Sequence, residues 1–169
     1  DPPSATPSQD FTIDEDDGPQ TVSGFMASVA EGGGDDEDSQ IVTFDVAGVT
    51  DGAMYTAAEL FDTLPTFTDA TDGSDGTAGS ASPNTLSFEA SDILAHDESE
   101  TITVTVGVSD DGGTANGGDD TGADQTFTIT INGSNDRPSL DTAQPDQASN
   151  DGESITPVDV SGNFSDVDA

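Results

Sequence analysis

The chain has 169 residues, with 36 Asp or Glu against a single Arg and a single His, and a formal net charge of −35. So few basic groups exclude recognition of a nucleic-acid phosphate backbone, and an anionic membrane repels such a surface. The absence of cysteine excludes disulfides, thiolate zinc sites and thiol catalysis.

Residues 1–10 are Pro-, Ser- and Thr-rich and read as a linker or N-terminal arm. Phe11-Thr12-Ile13 begins a strand that the acidic run Asp14–Asp17 and Gly18 end. Residues 20–29 continue with Val22, Phe25, Met26 and Val29, and residues 40–46 form a β-branched run suited to a pleated surface. Residues 53–68 place Tyr55, Leu60, Phe61, Leu64 and Phe67 either on a short helix or along an irregular crossing segment. Residues 69–83 are Gly, Asp, Ser and Thr and read as an exposed loop, followed by a short strand over 84–88.

The clearest strands come next. Residues 101–108 put Ile102, Val104, Val106 and Val108 on one face and threonines on the other, and residues 126–131 repeat the pattern with Phe127, Ile129 and Ile131. A period of two marks strands buried on one side. The loop joining them is longer than the ~2–5 residues of ordinary hairpins. Pro138 ends the last strand, because it cannot donate a ladder hydrogen bond. The pattern predicts an all-β sandwich of about seven strands over 11–135 and no convincing helix. Residues 136–169 carry strand-like pieces at 154–156 and 158–160. They are too short to bury a core alone, so they read as the start of a second β domain or as a segment exchanged with another chain.

Thr126–Ile131 followed by Asn135-Asp136-Arg137-Pro138 resembles the end of a cadherin-like or bacterial immunoglobulin-like repeat and its linker. The opening Asp1-Pro2-Pro3 is similar to the end of the same linker. Phe164-Ser165-Asp166-Val167-Asp168 is similar to the Asp-x-Asp element of a following domain. Phe11–Val22 and Val108–Gly118 also resemble tandem repeats of very large secreted bacterial adhesins, and the resemblance covers nearly the whole chain through short motifs. It implies an Ig-like or cadherin-like Greek-key sandwich, an extracellular or cell-surface location, and a structural role as a stiff, calcium-braced stalk or adhesion module. The implied partners are neighbouring repeats or identical subunits.

Strand direction sorts the acids between the two ends of such a sandwich. If 101–108 pairs antiparallel with 126–131, one end gathers Glu15, Asp16, Asp97, Glu98, Asn135 and Asp136, and the tail can add Asp166 and Asp168. The resemblance implies calcium at these positions, and calcium accepts ~6–8 oxygen ligands. The chain departs from the family where His96-Asp97-Glu98 replaces Asp-Arg-Glu and where Arg137 stands in place of an Asn. The remaining acids, including Asp35–Asp38 and Asp72–Asp75, read as a hydrated coat of the kind suited to salty water, where repulsion is screened over ~3 Å at 1 M salt. Asp110-Asp111 and Asp119-Asp120 sit at the opposite end and offer a weaker grouping. Residues 117–124 resemble one imperfect copy of a calcium nonapeptide, whereas such folds need stacked copies.

Two other roles stay open on the residues. One is a filament subunit whose tail or N-terminal arm adds a strand to a neighbouring chain. The other is a hydrolase working through paired carboxylates. Against the latter, His96 lies in an acid-rich loop, and the chain has no Trp and one Tyr to serve as a sugar platform. Asn132 and Asn163 lie in Asn-x-Ser sequences and are candidate glycosylation sites on an exported protein.

Overall fold

The computed structural model describes residues 1–33, 40–68, 85–144 and 146–168. Among the described residues the chain is mostly β, in several sheets, with one short helix. The strands are β1 (Ser4–Pro7), β2 (Phe11–Asp14), β3 (Gln20–Val22), β4 (Met26–Ala30), β5 (Thr43–Val49), β6 (Phe61–Thr68), β7 (Thr85–Ala90), β8 (Ser99–Ser109), β9 (Gln125–Asn132), β10 (Ser139–Leu140) and β11 (Phe164–Ser165). The helix α1 is a single turn, Ala57–Leu60. The exposed loop expected over 69–83 lies outside the described residues, as do Asp35–Asp38 and Asp72–Asp75.

One sheet has the order β2-β9-β8-β5 and a second the order β3-β7-β6. The alternation read in the sequence is what builds the first. Ile102, Val104, Val106 and Val108 on β8 are at most 1% exposed, and Phe127, Ile129 and Ile131 on β9 at most 3%. β8 and β9 pair antiparallel from Ser99↔Asn132 to Val106↔Gln125. β2 runs parallel to β9, with Phe11 beside Ile129 and Ile13 beside Ile131. Both sheets feed one hydrophobic core. Seven of the eight phenylalanines form a chain of ring contacts through it, including Phe11–Phe88 at 5.2 Å and Phe25–Phe127 at 4.7 Å between centroids. Edge-to-face pairs of this kind add to the burial itself.

Residues 53–68 resolve into α1 followed directly by β6. Asp51 accepts the Ala57 N–H at 2.9 Å, and Glu59 accepts the Thr56 N–H at 2.9 Å, so the helix start is held by two carboxylates. The backbone bond from Thr56 holds the Glu59 carboxyl below its ordinary range. β5 and β6 are the outer strands of their sheets. Between them lies an open groove of about 690 Å³ walled by Phe44, Val46, Val49, Leu64 and Phe67. Both outer strands are blunted against further pairing, β5 by a bulge between Val46 and Gly48 and β6 by bulges and Pro65.

The tail departs from expectation. Residues 154–156 and 158–160 form no strand; instead β10 and β11 pair antiparallel, Ser139↔Ser165 and Leu140↔Phe164. Asn163 is the reason. It is 8% exposed, and its side-chain amide donates to the Thr142 carbonyl while its own carbonyl accepts the Asp141 N–H. The apolar side chains Ile155, Val158 and Val160 stay exposed.

Candidate metal centre

Where β2 ends, the chain turns through a 3₁₀ segment, Glu15–Asp17, closed when the Asp14 N–H donates to Asp17 Oδ2 at 3.0 Å. Gly18 follows with φ 69°, a backbone angle suited to glycine. This turn points Glu15 inward, where it is 3% exposed. Its Oε2 accepts the N–H groups of Ile93 (2.9 Å) and Leu94 (2.8 Å), and its Oε1 accepts that of Ser134 (2.7 Å). Three charge-assisted hydrogen bonds offset the cost of burying a carboxylate. They also tie the segment before β8 to the segment after β9.

That tie brings two more acids to Glu15. One carboxylate oxygen from each of Glu15, Asp92 and Asp136 lies within 4.8 Å of the other two. Desolvation first, then the charge of Asp92 and a hydrogen bond shared with it, then Asp168 and Asp16, push the Asp136 carboxyl above its ordinary value. Asp136 Oδ2 is shielded from solvent and receives no hydrogen bond. A buried acceptor oxygen is ordinarily satisfied. A cation among these carboxylates would answer both the missing donor and the mutual repulsion, so the group can hold a metal ion. An all-oxygen donor set suits a hard cation rather than a soft one.

The structure gathers some of the acids expected at this end and leaves others aside. Glu15 and Asp136 are in the group, and Asp16 stands close enough to act on Asp136 through its charge. Asp168 reaches the same place from the tail. Its Oδ2 accepts the Asp136 N–H at 2.6 Å and its Oδ1 the His96 N–H at 2.6 Å, with His96 Nδ1 at 3.5 Å. Desolvation works to raise Asp168, but the two backbone bonds and the imidazole outweigh it and hold its carboxyl low. Asp166 accepts the Asp168 N–H at 2.9 Å and so orients that residue.

Asp97 and Glu98 are not among the three grouped acids. Asn135 is exposed and donates to the Asp136 carbonyl. Asp97 is exposed at the tip of a turn. Glu98 turns back on its own loop, where Oε2 accepts the Ala95 N–H at 3.2 Å and the Tyr55 hydroxyl at 3.3 Å. Desolvation and then the neighbouring Glu98 push the Tyr55 hydroxyl up.

Asp92 is the member that the sequence reading did not name. Its signal in the sequence is its place on the loop between β7 and β8, which strand direction puts at this end. It precedes the apolar pair Ile93-Leu94, whose N–H groups bond to Glu15.

At the opposite end, Asp110 Oδ1 accepts the Gly112 N–H and Asp111 Oδ1 the Ile41 N–H, while the Asp110 N–H donates to the Asp120 carbonyl. These acids hold loops together. Both candidate glycosylation asparagines are engaged. Asn132 donates to Asp14 Oδ1 and accepts from Ser99, and Asn163 is buried. Comparison with protein-family models, curated proteins and solved structures returned no match.

Proposed function

We propose that the chain is a non-enzymatic extracellular module, a calcium-braced repeat of a long surface or stalk protein with an Ig-like or cadherin-like Greek-key sandwich. The observation that carries this reading is the meeting of Glu15, Asp92 and Asp136 at the end where the linker leaves the sheet, with Asp168 of the tail bonded to the Asp136 backbone. A hard divalent ion there joins the turn after β2, the loop before β8 and the linker. Through Asp136 it also steadies the tail. The strand orders β2-β9-β8-β5 and β3-β7-β6, with β2 parallel to β9, support the sandwich reading. Calcium suits the site because it tolerates irregular oxygen cages, whereas magnesium demands near-octahedral order.

Calcium titration of the protein in 1 M NaCl, followed by melting temperature, tests this. Saturation at 100 times the Kd contributes ~2.7 kcal/mol, a rise of roughly 5–10 °C for a chain of this size. The rise is expected to vanish in Asp92→Asn and Asp136→Asn. No shift in the unaltered protein would remove the metal from the proposal.

A second reading is a filament subunit assembled by strand exchange. Among the described residues, six of the eight exposed large apolar side chains lie in the tail: Leu140, Ile155, Val158, Val160, Phe164 and Val167. Apolar side chains of this kind mark an interaction surface where they come together in one patch. Concentration-dependent assembly that is lost in Ile155→Ser/Val158→Ser favours exchange. A monomer at millimolar concentration favours a following repeat.

A further inference from the structure

We draw no further inference here: the strongest candidate, the open apolar groove between β5 and β6, carries nothing, because its carboxylates Asp45 and Asp51 are turned to Gly107 and to the Ala57 amide and nothing in the structure shows what covers it.

Discussion

Asp136 and Asp168 sit on neighbouring hydrogen bonds and respond to protons in opposite senses. The raised value of Asp136 means that the folded chain keeps this proton longer than the unfolded chain does. Its contribution to stability therefore falls as pH rises from the ordinary 3.8 through the folded value. The lowered value of Asp168 contributes stability above 3.8 that is lost as pH falls through its folded value. Asp136→Asn is thus expected to raise the melting temperature of the metal-free protein at pH 7 while abolishing the calcium response. Because calcium competes with the proton on Asp136, the calcium-induced rise is expected to shrink steadily from pH 7 to pH 4, read from paired melts with calcium and with chelator. Glu15→Ala should behave differently. It leaves three backbone N–H groups without their acceptor, one buried and two partly buried, and a buried donor left bare costs ~1–3 kcal/mol, so urea unfolding should show a loss of at least ~1 kcal/mol with or without calcium. Glu15 and Asp136 were legible from strand direction alone. Asp92 lies on a loop at the same end, but its approach to the other two depends on how Ile93 and Leu94 dock on Glu15, a contact between residues 78 and 79 positions apart.

The elements divide by how strongly their pattern is written. β8 and β9 alternate without a fault, and a one-residue slip would turn four branched side chains to solvent, so sequence and structure agree there. β1, β4 and β10 have short or mixed patterns, and only their pairing partners define them. In the tail, Ile155, Val158 and Val160 have strand propensity but no sheet to join. Asn163 closes a different hairpin there, which is tertiary context overriding local preference. The core offers a direct check. Phe25 is fully buried between Phe11, Phe67 and Phe127, and Phe25→Ala should cost ~3–5 kcal/mol in equilibrium unfolding. Gly133 offers another, at the junction itself. Its N–H donates to the Glu98 carbonyl, and a Cβ there would overlap the Ala95 carbonyl oxygen. Gly133→Ala should therefore displace the loop before β8, weakening calcium binding measured by titration calorimetry as well as lowering the melting temperature.

For the molecule as a whole, the charge of −35 works against compactness, and the fold answers it unevenly. Several acids bond to backbone N–H groups, as Glu15, Asp51, Glu100, Asp111 and Asp168 do. Each of these closes a loop, so part of the acidity is structural. The tail is held to the rest through Asp168, and Asp168→Asn should speed amide exchange at His96 and Asp136 while leaving β8 and β9 protected. Between the two parts runs the linker, in which Arg137 and Pro138 are exposed. An exposed connector is where a folded chain is ordinarily nicked. A protease that needs Lys or Arg before the cut finds one such residue in all 169, and proline follows it, a bond these enzymes leave intact. The same acid-rich composition thus leaves trypsin-like enzymes with no bond to hydrolyse, folded or unfolded, and the exposed linker is whole against them.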